Sequence, residues 1–165
     1  MRHLRALRAP MSIAACLAAV AVVAQAKQAS VTATLAVFKI TRDKDGAEQF
    51  TPVEAAKPGD LLEYRLTYAN PTEQAVTGLQ ATLPLPEGLA YVAGSARPDD
   101  VRASLDGKAF APVPLRRQVR DASGNVRTVD VPTSEYRALR WKIATLAAGG
   151  STRLTARAKV LATAD

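Results

Sequence analysis

Histidine and cysteine are almost missing from this 165-residue chain: His3 and Cys16 are the single examples, and both stand within the first sixteen residues. From residue 17 onward there is no imidazole and no thiol, which excludes a Ser-His-Asp triad, a Cys-His dyad and an ordinary zinc site there. The same absence excludes an intrachain disulfide, so that part of the chain must be held together by packing. Helical patterning is missing too, since no stretch between residues 27 and 165 repeats apolar residues at amphipathic helical spacing. Gly149-Gly150 lacks the lysine and the following helix that a phosphate-cradling loop needs.

The remaining candidates for chemistry are carboxylates, and the close pairs are Asp43/Asp45 and Asp99/Asp100. Adjacent acids on a loop are usually solvated turn formers, and neither pair predicts a second carboxylate at the separation glycoside hydrolysis requires. A calcium reading of Asp43-Lys44-Asp45-Gly46 fails because an EF-hand loop closes on a more distant glutamate than Glu48; a hairpin turn with Gly46 at positive φ is expected instead. The chain is read as non-enzymatic, with no catalytic residue, cofactor or metal site.

The N-terminus carries a different kind of signal. Residues 1–10 are basic, residues 11–23 form an Ala/Val/Leu-rich run, and Ala24-Gln25-Ala26 supplies a small-x-small cleavage site. These features predict a secretory signal peptide over residues 1–26, cut after Ala26. The alternatives are a retained anchor, for which the run is short of the ~20 apolar residues that span a bilayer, and a lipoprotein box ending at Cys16, which would have almost no apolar segment before it. Without Arg2, Arg5 and Arg8 the formal charge falls from +7 to +4, a mild basic excess. The length suits one domain with its own core.

Beyond a flexible leader at residues 27–34, the chain reads as short strands punctuated by turns. Residues 35–41 and 50–53 flank the turn at Gly46. Lys57-Pro58-Gly59-Asp60 is a type II corner. Leu62, Tyr64, Leu66 and Tyr68 then share one face, while Glu63, Arg65 and Thr67 take a wet one. Asn70-Pro71 ends that strand. Leu79, Ala81 and Leu83 share a face before a corner at Pro84 and Pro86, Glu87-Gly88 turns the chain into residues 89–93, and residues 101–110 form a hairpin about Asp106-Gly107. Residues 112–132 are read as an inserted, basic, edge-like and mobile hairpin about residues 121–125. Leu139, Trp141 and Ile143, followed by Leu154, Ala156, Ala158 and Val160, are read as the inward residues of a last hairpin. The fold class is all-β, a sandwich of about seven to nine strands over residues 35–161 with a tail at residues 162–165.

Two segments, KPGDLLEYRLTYANPTEQAVTGLQATLPLPEGLAYVAGSA and LRWKIATLAAGGSTRLTARAKV, resemble the DUF11 family of immunoglobulin-like modules from secreted and surface proteins of bacteria and archaea. The resemblance rests on the Pro-Gly-Asp turn, the aromatic strand ending in Asn70, the Leu-Pro corner ahead of Gly88-Leu89, and Trp141 followed by Leu146 and a glycine turn. Ala81 and Thr82 stand where many members carry an aspartate. The family implies an immunoglobulin-like sandwich with a surface, envelope or adhesion-type role, and it assigns no ligand.

The sharpest candidate site is cationic. If Trp141 and Leu154 point inward, then Arg140, Lys142, Arg153, Arg157 and Lys159 point outward on one sheet face, with Arg116, Arg117 and Arg120 added by the inserted hairpin. One reading of these cations is a solvated face that resists aggregation; the other is attraction to an anionic envelope polymer or lipid surface. Trp141 likewise has two readings, a core filler by its parity with Leu139 and Ile143, or a sugar-stacking platform. The expected function is an exported, periplasmic or cell-surface module with a structural or protein-interaction role in the bacterial envelope. The alternative is a binding module for an acidic glycan or lipid. The partner would be another envelope or surface protein, or an anionic polymer or lipid. Nucleic acid is not expected, and the mature chain has no transmembrane segment.

Overall fold

A computed structural model describes residues 30–162, so the predicted signal peptide, the first three residues of the leader and residues 163–165 of the tail lie outside the described residues. Eleven strands follow in order: β1 (Thr32–Arg42), β2 (Glu48–Pro52), β3 (Leu61–Ala69), β4 (Val76–Pro84), β5 (Leu89–Tyr91), β6 (Arg102–Ser104), β7 (Ala111–Pro112), β8 (Arg116–Arg120), β9 (Val126–Asp130), β10 (Ala138–Leu146) and β11 (Ser151–Val160). Among the described residues there is no α-helix, only a 3-10 turn at Thr133–Glu135, and no helix long and apolar enough to cross a membrane. Every strand pairing is antiparallel.

The strands form a five-stranded sheet in the order β2-β1-β3-β11-β5, a four-stranded sheet in the order β4-β10-β6-β7, and a separate β8-β9 ribbon. Alternation along each strand sends one set of side chains inward. Leu62, Tyr64 and Leu66 with Leu154, Ala156 and Ala158 come from the first sheet; Ala81, Leu83, Leu139 and Trp141 come from the second. They meet in a single hydrophobic cluster, so the two sheets share one core. Trp141 is 2% exposed and its indole N–H donates to the Pro98 carbonyl at 2.8 Å, which gives it the core role and satisfies its polar atom.

The turns behave as their residues require. Gly59 adopts φ 90° in the corner where the Asp60 amide donates to the Lys57 carbonyl at 3.0 Å, and Gly46 adopts φ 81° between β1 and β2. Asp43 shapes that second turn: its carboxylate accepts from the Asp45 and Ala47 amides and from the Gln49 side chain, and these bonds, led by the one from Gln49, hold its pKa below the ordinary value.

Four expectations need correction. The leader is shorter than residues 27–34, because β1 already pairs with β3 at Thr32↔Ala69. Glu63 is not on a wet face: two arginines bracket its carboxylate and it is 8% exposed. The hairpin about Asp106-Gly107 closes beyond residue 110, with Ala103↔Ala111 and Arg102↔Pro112 in register, so Pro112 belongs to that hairpin and not to the insertion. Finally, β10 and β11 are not a hairpin, since they lie in different sheets. The connection between them packs against the loop after β3, which also crosses from one sheet to the other. Asn70, fully buried, ties the two crossings together by donating to the carbonyls of Gln74, Leu146 and Ala147 at 2.7, 3.2 and 3.0 Å.

Candidate functional site

The sheet assignment of β10 and β11 decides where the eight candidate cations lie. Trp141 and Leu154 both point inward, but from opposite sheets, so Arg140 and Lys142 decorate one outer surface of the molecule while Arg153, Arg157 and Lys159 decorate the other. The single five-cation face expected from parity is thereby split. Alternation distinguishes inward from outward; it carries no information about which sheet a strand joins.

On the five-stranded sheet, Arg157 is already engaged. Its Nη1 and Nη2 donate to the two carboxylate oxygens of Glu48 at 2.8 and 2.7 Å, and its Nε donates to Glu63 at 3.1 Å. The other oxygen of Glu63 accepts from Arg65 Nε at 2.8 Å. The Arg65 guanidinium in turn lies over Phe38 and Phe50, 4.3 and 4.5 Å from the ring centroids. Two arginines, two glutamates and two phenylalanines thus neutralise and cover one another. Donation from Arg157 holds the Glu48 carboxyl below its ordinary pKa, and the bonds to Glu48 raise that of Arg157. Arg153 and Lys159 remain exposed on the same strand.

The inserted hairpin forms where the sequence places it, with Arg116↔Asp130 through Arg120↔Val126 in register. Its three candidate cations have acceptors of their own. Arg116 meets Asp130 at 3.2 Å, Arg117 makes a two-pronged contact with Glu135 at 2.6 and 3.0 Å, and Arg120 donates to the Gly124 carbonyl at 2.7 Å. The base of the ribbon is anchored. Leu115 and Val131 are buried, and the Leu115 amide donates to the Tyr136 hydroxyl at 2.9 Å.

Beside that base lies a depression of about 580 Å³. Tyr91 and Tyr136, stacked with ring centroids 6.1 Å apart, form its floor, while Val113, Pro114, Val131 and Pro132 make an apolar wall. Ala93, Gly94, Asp130 and Thr133 complete the rim. Residue order alone does not reveal this feature, because its floor joins β5 to the segment after β9, 45 positions apart in the chain.

A second, smaller depression of about 200 Å³ opens on the outer face of the four-stranded sheet. Cross-strand register sets Gln80 opposite Lys142, and Thr82 and Arg102 on either side of Arg140. The aromatic ring of Phe110 covers Arg140 at 3.6 Å, and Arg140 Nε donates to Thr82 Oγ1 at 2.9 Å. Asp100 joins the lining. Arg102, Phe110 and Gln80 were not among the expected site residues. The outward parity of Arg102 beside inward Val101 and Ala103 is legible in the sequence, but its alignment with Arg140 is a matter of register.

Among the described residues, no group of three or more His, Cys, Asp or Glu side chains gathers as a metal site. No protein-family model, curated protein or solved structure matches the chain.

Proposed function

We propose that this chain is an exported, immunoglobulin-like module of the DUF11 kind, without enzymatic activity, that works by holding another protein of the bacterial envelope. The observation that carries the interaction reading is the depression at the hairpin base, where Val113, Pro114 and Pro132 leave apolar surface open to solvent above a buried, stacked tyrosine pair. Its chemistry suits an extended apolar segment of a partner, with Asp130 and Thr133 at the rim to orient the partner's backbone or polar groups. Support for the module reading comes from the two-sheet core, and from the structural work of the residues on which the family resemblance rests: the Gly59 corner, the Asn70 tie and Trp141. Support for export comes from residues 1–26, with their basic start, apolar run and Ala24-Gln25-Ala26 site.

The test compares the mature protein with an Ala93→Arg variant as baits on the native envelope. Ala93 is an exposed rim residue, so the substitution leaves the core alone while placing a long cation in the opening. A partner recovered by the wild type and lost by the variant, with unchanged melting temperature, is expected. Equal recovery by both would remove the hairpin base from the account.

A further inference from the structure

Three cations converge on the outer face of the four-stranded sheet, and the one carboxylate beside them, Asp100, makes an ion pair with none of the three. Arg140 and Arg102 are directly opposed residues of β10 and β6, and Lys142 is the next outward residue along β10. Like charges directly opposite across a ladder are destabilising. Elsewhere the fold resolves such crowding with acids, as Glu63 does between Arg65 and Arg157. Here, among the described residues, none of the three cations enters an ion pair. Two of them are instead fixed in place by neutral groups. Arg102 Nη2 donates to the Phe110 carbonyl at 2.6 Å, and Arg140 is held between Thr82 Oγ1 and the Phe110 ring. Holding the Nε of Arg140 and one face of its plane leaves its terminal nitrogens as donors, and a fixed guanidinium loses little freedom when it binds a carboxylate.

The rest of the lining narrows the ligand. A simple anion would be served by the cations alone, and a ligand offering carboxylates without hydroxyl donors would leave the acceptors of Asp100 and Gln80 unpaired. Asp100 and Gln80 are hydrogen-bond acceptors placed beside donors, the pairing that hydroxyl groups require. A group with one carboxylate and several hydroxyls satisfies both halves. We propose that this depression is a binding site for one uronic-acid residue of an acidic glycan, with Arg102, Arg140 and Lys142 taking the carboxylate and Gln80 and Asp100 taking ring hydroxyls. The site shares no residue with the depression at the hairpin base and does not depend on a protein partner being held there.

Isothermal titration calorimetry with trigalacturonate tests the assignment, with its methyl ester and hexaglutamate as comparison ligands. Trigalacturonate should bind at one site, and the ester should bind at least ~tenfold more weakly through loss of a charge-assisted hydrogen bond. Arg140→Gln and Lys142→Gln should each weaken trigalacturonate binding by about tenfold. Lys142 is exposed, so its variant folds even if Arg140→Gln disturbs the sheet. Arg153→Gln, on the opposite sheet, should leave binding unchanged. The proposal is overturned if trigalacturonate gives no binding, if the ester or hexaglutamate binds equally well, or if Arg153→Gln weakens binding as much as Lys142→Gln does.

Discussion

Removing the side chain of Asn70 should cost more than any other single polar change in this fold. The residue is fully buried and its amide group links the two loops that carry the chain between sheets. In Asn70→Ala, the Leu146 carbonyl loses a donor at 3.2 Å and the Thr72 amide loses an acceptor at 3.2 Å. The carbonyls of Gln74 and Ala147 each keep a second donor, from Thr72 Oγ1 and the Gly150 amide. Taking ~1 kcal/mol net for each of the two hydrogens that Asn70 Nδ2 can donate and for the bond its Oδ1 accepts from Thr72, the loss is about 3 kcal/mol. Asn70→Asp keeps the shape but turns a charge toward three carbonyl oxygens, so at neutral pH it should destabilise more than alanine. Its carboxyl would titrate above the ordinary carboxylate range in the folded state. The aspartate variant should therefore gain stability relative to the wild type as pH falls through that raised value, the opposite of ordinary acid denaturation. Equilibrium urea unfolding followed by the fluorescence of buried Trp141 measures all three proteins. A loss for Asn70→Ala below about 0.5 kcal/mol, the range of ordinary surface changes, would refute the reasoning.

Other outcomes follow from the same contacts. Trp141→Ala should lose about 3 to 5 kcal/mol, as expected for an aromatic deleted from a packed core, and an unchanged melting temperature would contradict its burial. Glu63→Ala should cost about 2 kcal/mol or more, because it leaves Arg65 and Arg157 adjacent without their shared carboxylate; Glu63→Gln, which keeps hydrogen-bonding oxygen, should cost less in the same urea titration. The Asp106 carboxyl is held down to about 2 by the amides of Lys108 and Ala109 and by the Ser104 hydroxyl. Its stabilising effect should be complete above the ordinary value of 3.8 and disappear as pH falls towards 2, so the stability gap to Asp106→Ala should narrow over that window in acid titrations. Mass spectrometry of the protein recovered from its native cells should give an N-terminus at Lys27; an intact residue 1–26 segment would refute the export reading.

The strands were legible where alternation was strong. Leu62, Tyr64 and Leu66 announce β3 as clearly as any core strand can, and the glycines at 46 and 59 mark turns by the φ values that other residues avoid. Even the exposed hairpin of residues 116–130 could be placed, because the turn residues between 121 and 125 separate two short β-prone runs. Sheet membership could not. A four-residue link with two glycines after Leu146 fits a hairpin as well as it fits a crossing between sheets, and the choice is made by Asn70, 76 residues away. That one ambiguity carried over to the candidate site. It merged cations from opposite surfaces and concealed the partnership of Arg140 with Arg102 and Phe110, which arises from register across β10 and β6. Glu63 was misplaced for a related reason: a charged residue at an outward position reads as solvated, and only its two arginine neighbours reveal that it is covered.

The claim that this module holds an envelope partner through its hairpin base is tested most directly by a photo-reactive amino acid placed at Ala93 in cells. The control is the same group at Thr145, an exposed residue of β10 outside the depression. The account predicts a discrete protein adduct from position 93 that is absent from position 145. No adduct from position 93, or the same adducts from both positions, would contradict it.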